Sequence, residues 1–139
     1  MKFTIIPFVG TDLVFFGMTR DKVRSALGDA FEEFRKTDQS ANTTDAFKGV
    51  HVYYDAGNHC EAMEFFKPSE VMFKEHSMMG INYSLGKSII EANSTASVED
   101  SYGLDASDLG IGLYAPEYED DPSALIQAIF IYQRGYYDK

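Results

Sequence analysis

Three short strings recur in the same order in the two halves of this 139-residue chain. Phe16-Gly17-Met18 pairs with Met79-Gly80-Ile81, Gly49-Val50-His51-Val52-Tyr53 with Gly110-Ile111-Gly112-Leu113-Tyr114, and Ala62-Met63-Glu64-Phe65-Phe66 with Ala128-Ile129-Phe130-Ile131-Tyr132, at offsets of 63, 61 and 66 residues. Around these strings each half reads strand, helix, polar connection, hairpin. Two such units, 1–67 and 68–139, pool their strands into one antiparallel sheet or two abutting ones, with both helices on one face. The other face is then open to solvent or to a partner. Short apolar strings also coincide by chance, so the repeat stands as an expectation. The expected fold class is α+β in a single domain spanning 1–139, a length that supports an ordinary core.

The best-marked element is Leu13–Gly28, an apolar strand, a turn and a short helix. Thr19 fits the N-cap and Gly28 the residue past the helix end. Met18, Val23, Ala26 and Leu27 share one side at helical spacing, opposite Arg20, Asp21, Lys22 and Arg24. Elsewhere, Lys2–Val9 reads as a strand and 29–36 is ambiguous between helix and extended chain. Val50–Asp55 and Cys60–Phe66 form a hairpin around Ala56-Gly57-Asn58. Val71–Lys74 is a short strand. Tyr83–Asn93 is a second helix burying Leu85, Ile89 and Ala92, with Gly86 an unfavourable interior residue. Residues 94–107 read as a polar, acidic connection, and Leu109–Tyr114 and Ala128–Gln133 as strands.

Charge is unevenly spread. The net charge is −10, and residues 88–133 hold nine acids and no Lys or Arg. Acidity of this degree argues against nucleic acid and anionic membrane as partners, because their phosphates repel it. A lone Cys60 precludes an internal disulfide and fits a reducing compartment. With no convincing leader and no long apolar run, the expected location is the cytoplasm.

Gly17-Met18-Thr19, then Val23, then Leu27-Gly28, resembles an element of several small bacterial domains. In beta-lactamase-inhibitor-protein-like domains and in outer-membrane assembly lipoproteins of similar fold, G-M-[ST]-x-x-x-V-x-x-x-L-G opens a helical segment packed on an antiparallel sheet. The resemblance covers about 12 of the 139 residues. It implies a fold made for protein–protein contact and carries over no catalytic residue. The chain departs from the lipoproteins in showing no signal peptide or lipidated Cys near its start, which argues against an outer-membrane role. In size, acidity and hairpin layout it is also similar to immunity proteins of toxin systems.

Candidate chemistry is sparse. His51, His59, Cys60 and His76 show no metal-ligand spacing and no nucleophile–base arrangement, and no cofactor or metal is expected. Asp105, Asp108 and the run Glu117 to Asp121 do not follow an EF-hand loop. Gly110 and Gly112 within a strand suggest close approach of a ring or another backbone, while Tyr53, Tyr114, Tyr118 and Tyr132 are candidates for an aromatic surface. The expected function is a non-enzymatic binding protein of immunity or inhibitor type that neutralises a basic protein, such as a toxin domain. In it Asp105, Asp108, Glu117, Glu119, Asp120 and Asp121 supply charge, and Tyr114 and Tyr118 supply anchors. The alternatives are an enzyme or small-ligand binder with an aromatic pocket under the helices, and a homodimer formed through the open sheet.

Overall fold

The computed structural model describes residues 1–138. The elements in chain order are β1 (Lys2–Ile6), β2 (Gly10–Thr11), α1 (Arg20–Leu27), β3 (Phe31–Phe34), β4 (Thr44–Phe47), β5 (Val50–Tyr54), β6 (Cys60–Phe65), β7 (Glu70–Phe73), β8 (His76–Ser77), α2 (Tyr83–Glu91), β9 (Ser97–Glu99), β10 (Gly103–Ala106), β11 (Ile111–Tyr114) and β12 (Ala128–Tyr132). The fold is mixed α/β, mostly strand with two helices. An eight-stranded antiparallel sheet has the order β3-β4-β5-β6-β12-β11-β10-β9. A four-stranded sheet, β2-β1-β7-β8, contains one parallel pair, β1 with β7. No helix among the described residues is long and apolar enough to cross a membrane.

Register divides the large sheet into two faces. One row runs Phe31, Phe47, Val50, Phe65, Ile129, Leu113, Leu104, Glu99, and the next runs Glu33, Asp45, Val52, Met63, Ile131, Ile111, Ala106, Ser97. From Phe47 to Leu104 in the first row, and from Asp45 to Ala106 in the second, every one of these residues is buried. Strand residues two apart share a face, so this is the core face. The sheet ends are guarded by short strands carrying Glu32, Glu33 and Glu99, which discourage edge pairing with another chain.

Helix α1 matches its sequence signals. The Thr19 side chain accepts from the Lys22 backbone N–H, and Gly28, at φ 99°, donates its N–H to the Arg24 carbonyl. Its polar side is corrected, however: Arg20 is buried. Its guanidinium donates to Asp45 at 2.9 Å, to Asn58 at 2.8 Å, and to Asn42 and the Thr43 carbonyl at 3.0 Å each. It also lies 4.0 Å from the Tyr54 ring centroid. Arg24 grips Asp45 with two bonds, 2.8 and 2.7 Å. In α2 the buried residues are Tyr83, Gly86 and Ile90, while Leu85, expected inside, is 54% exposed. Gly86 sets this phase: a Cβ there falls 2.3 Å from Ile126 Cδ1 and 3.4 Å from Leu113 Cδ1, so its bare backbone is what presses on the sheet.

Two further expectations are corrected. Leu13–Phe16 is not a strand, because the Thr11 hydroxyl accepts the N–H groups of Leu13 and Val14 at 3.1 and 3.0 Å and curls the chain into a turn. The connection 94–107 contains β9 and β10, and the ambiguous segment 29–36 contains β3.

Candidate functional site

The face of the large sheet opposite the core carries the row Glu32, Ala46, His51, Glu64, Phe130, Gly112, Asp105, Val98, one residue from each strand. Rings dominate it. His51 packs between Phe34 and Phe66, with centroids at 5.4 and 4.8 Å. Phe130 sits 6.0 Å from Tyr53 and 5.8 Å from Tyr132. The turn at Tyr136–Asp138 brings Tyr136 and Tyr137 to 5.8 and 4.9 Å from Tyr132. Near one corner Tyr102 and Tyr114 stack at 6.5 Å, and are 61% and 45% exposed.

Two carboxylates are set among these rings. Glu64 accepts the Tyr53 hydroxyl at 2.8 Å, and Asp105 accepts the Tyr132 hydroxyl at 3.0 and 3.1 Å. The Lys36 ammonium, from the connection after β3, lies 4.4 Å over the Tyr53 ring and 5.7 Å over Phe130. Lys36, Glu64, Asp105, Gly112 and Phe130 border a cavity of ≈ 320 Å³. Its room is in part the missing side chain of Gly112. Gly110 instead admits a ring, since a Cβ there falls 3.0 Å from Phe8 Cε1.

Burial, joined by the charge of Asp100 and opposed by the Tyr132 hydroxyl, raises the Asp105 carboxyl above its ordinary value. A carboxylate with a raised folded pKa opposes folding above that pKa, and the cost fades as pH falls toward the unfolded value of about 3.9. Asp105→Asn keeps an acceptor for Tyr132 without the charge. We expect it to stabilise the protein by about 0.5–1 kcal/mol at pH 7 and to leave stability unchanged near pH 3. Urea unfolding at the two pH values checks this.

The residues singled out in the sequence fall in separate places. Asp105 and Tyr114 lie on this face. Asp108 lies in the β10–β11 turn, where it accepts from the Ser94 hydroxyl at 2.6 Å and the Thr95 N–H at 2.8 Å, which hold its carboxyl below the usual range. Glu117, Glu119, Asp120 and Asp121 occupy the β11–β12 connection, at the other end of the β10–β11 hairpin. There the Glu117 carbonyl accepts the Asp120 and Asp121 N–H groups. Tyr118 turns away from the face, packs tilted against Tyr83 of α2 with ring centroids 4.6 Å apart, and donates to the Asp100 carbonyl. It borders a cleft of ≈ 430 Å³ with Lys87 and Glu99. The acidic span is therefore divided among the face, a rim beside α2, where Asp121 borders the same cleft as Tyr83 and Lys87, and a far turn.

Phe130 and Lys36 were missed in the sequence. Phe130 is legible from parity, because Ile129 and Ile131 face inward and the residue between them must face outward. Lys36 follows an edge strand in irregular chain, and nothing in the pattern marks it.

The thiol and imidazoles do not converge. Cys60 is fully buried, and burial pushes its thiol up to about 12, where it is a poor nucleophile. His51 lies on the opposite face, its pKa lowered by burial against the pull of Glu64. His59 is at the β5–β6 turn and His76 on the exposed strand β8. Among the described residues no group of three or more His, Cys, Asp or Glu is placed to hold a metal ion. No protein-family model, curated protein or solved structure matches this chain.

Proposed function

We propose that this chain is a non-enzymatic protein-binding module of the immunity or inhibitor type, which takes a basic protein on the open face of its eight-stranded sheet. The observation that carries the reading is that face itself, rich in Tyr and Phe and set with Glu64 and Asp105. Rigid amphipathic rings provide contact area at small entropic cost, and carboxylates among them match a basic surface. The rim acids Glu117, Glu119, Asp120 and Asp121 add long-range attraction, in keeping with the net charge of −10. A basic toxin domain is the partner type this chemistry suits, and a reducing cytoplasm, consistent with the lone buried Cys60, is the setting.

The same proposal treats the chain as two like units, 1–67 and 68–139, with both helices on the core face. Three backbone bonds support it by recurring at offsets of 63 and 66 residues. Gly17 N–H to Cys60 O is matched by Gly80 to Ile126, Cys60 N–H to Met18 O by Ile126 to Ile81, and Arg20 N–H to Asn58 O by Tyr83 to Ala124. The ion pair Arg24–Glu33 is matched by Lys87–Glu99. Arg20 and Arg24 of α1 hold Asp45, and Gly86 of α2 abuts Leu113, on the same sheet face. A two-fold arrangement of this kind leaves one sheet face without a helix, its middle rings Tyr53 and Tyr132 buried under Phe130 and Tyr136 and its exposed rings Phe34, Tyr102, Tyr114 and Tyr137 available for contact, which is how the repeat bears on binding. The resemblance of Gly17–Gly28 to inhibitor-type domains belongs to this proposal as well.

A second reading, a small-ligand site, draws on the α2 cleft, where the Tyr83 hydroxyl donates to Glu99 at 2.6 Å and Lys87 pairs with it at 3.0 Å. Affinity capture with immobilised protein separates the two readings. The binding module retains a basic protein saturably, and Tyr102→Ser with Tyr114→Ser weakens retention about tenfold or more. Equal retention by that variant contradicts the reading.

A further inference from the structure

We propose that the open face recognises one arginine side chain of its basic partner in the cleft between Glu64 and Asp105, and that Lys36 of this chain occupies the approach until that arginine displaces it. The inference rests on the binding reading above and names the group recognised and the element that yields to it.

The chain supplies its own evidence that the cleft accepts a cation. Lys36 places its ammonium over Tyr53 and Phe130, at 4.4 and 5.7 Å, and borders the same ≈ 320 Å³ space as both carboxylates. Its hold is weak. Among the described residues it forms no ion pair, so the rings alone retain it. The part of the connection around Lys36 is closed by local bonds, from Arg35 to the Ser40 carbonyl at 2.7 Å and from the Thr37 N–H to the Ser40 hydroxyl at 2.9 Å, while its far end is held by Asn42 and Thr43 on Arg20. Displacing the Lys36 side chain therefore leaves the bonds of Asn42 and Thr43 to Arg20 in place.

An incoming guanidinium gains what Lys36 lacks. Its planar fork stacks on the rings while donating to carboxylate oxygens, a combination an ammonium cannot make. Tyr53 and Tyr132 each occupy part of one carboxylate's acceptor capacity and leave the rest for a second donor. Gly112, at the centre of the row, leaves the space into which the guanidinium enters. The charge excess also favours a basic occupant over a second copy of this chain, which carries the same net charge of −10.

The test uses a blocked, fluorescein-labelled peptide alternating Arg and Gly. It is titrated against the wild type, Lys36→Met, Glu64→Gln/Asp105→Asn, and a rim control, Glu117→Gln/Asp121→Asn, that removes the same formal charge. Circular dichroism and urea midpoints confirm that each variant folds. Lys36→Met is expected to bind about two- to fivefold more tightly, the worth of an exposed cation–π contact. The face pair is expected to bind at least tenfold more weakly, and the rim pair to lose about threefold or less at 150 mM salt. If the rim pair loses as much as the face pair, or Lys36→Met does not tighten binding, this inference fails while the broader binding reading survives. No binding by any form, or concentration-dependent dimers that exclude the peptide, overturns both.

Discussion

Asp45→Ala is expected to cost about 3–5 kcal/mol of folding stability at pH 7, because it leaves the buried Arg20 guanidinium without its counter-charge. The Asp45 side chain is wholly buried and accepts four bonds, from Arg20, twice from Arg24, and from the Tyr54 hydroxyl at 2.9 Å. It is the buried carboxylate through which both arginines of α1 are tied to the core face of the sheet, Arg24 also reaching the half-exposed Glu33. Arg24→Leu is expected to cost less, since Arg24 is partly exposed and Arg20 still neutralises Asp45. The pH dependence follows from the same geometry. Burial pushes the Asp45 carboxyl up, but the bonds from Arg24 and Tyr54 and the charges of Arg20 and Arg24 outweigh it and hold the pKa below its ordinary value. A lowered folded pKa stabilises fully above the unfolded value of about 3.9, and the contribution is lost as pH falls through the folded value. The gap between wild type and variant should therefore begin to narrow as pH falls below about 4 and be smallest below the lowered folded value. A loss under 1 kcal/mol at pH 7 would show that the network is not what anchors the helix.

Phe65→Ala is expected to cost about 3–5 kcal/mol through lost burial and the cavity left behind. Phe65 is fully buried on β6. It is paired across the sheet with Val50 and Ile129 and lies 4.9 Å from the Phe3 ring of β1. It thus joins the two halves of the large sheet at their β6–β12 seam and ties the small sheet to both. Phe34→Ala, at a position 38% exposed on the open face, should cost less than about 1 kcal/mol. Urea unfolding compares them. With a slope of about 1–3 kcal/mol per M, the Phe65 variant's midpoint falls by at least about 1 M. Equal shifts for the two variants would contradict this placement of the core.

The α1 helix and the β5–β6 hairpin could be read from residues, because their signals are local. Thr19 and Gly28 bracket the helix, and Val50, Val52 and Tyr54 alternate against His51 and Tyr53. What escaped depends on distant partners. Arg20 looks solvated until Asp45, twenty-five residues later, is placed beneath it. Strands β9 and β10 were hidden by Gly103, Asp105 and their polar neighbours, which favour strand only once β11 offers a ladder. Gly103 allows that pairing, since a Cβ there would lie 1.9 Å from the Leu113 carbonyl oxygen. The candidate site was half legible for the same reason. The outward residues Tyr53, Glu64, Tyr114 and Tyr132 follow from strand parity, but the acids between 105 and 121 scatter because hairpin turns carry them to opposite ends of the sheet.

The most direct test of the central claim is a stopped-flow comparison of association and dissociation rates with a basic protein retained by the immobilised chain, at 50 and 200 mM salt. Charge removal at Glu117, Glu119, Asp120 and Asp121 should slow association and flatten its salt dependence, leaving dissociation nearly unchanged. Substitution on the face at Glu64 and Asp105 should instead speed dissociation about tenfold or more. If the face substitutions leave dissociation unaltered, the open sheet is not where the partner binds.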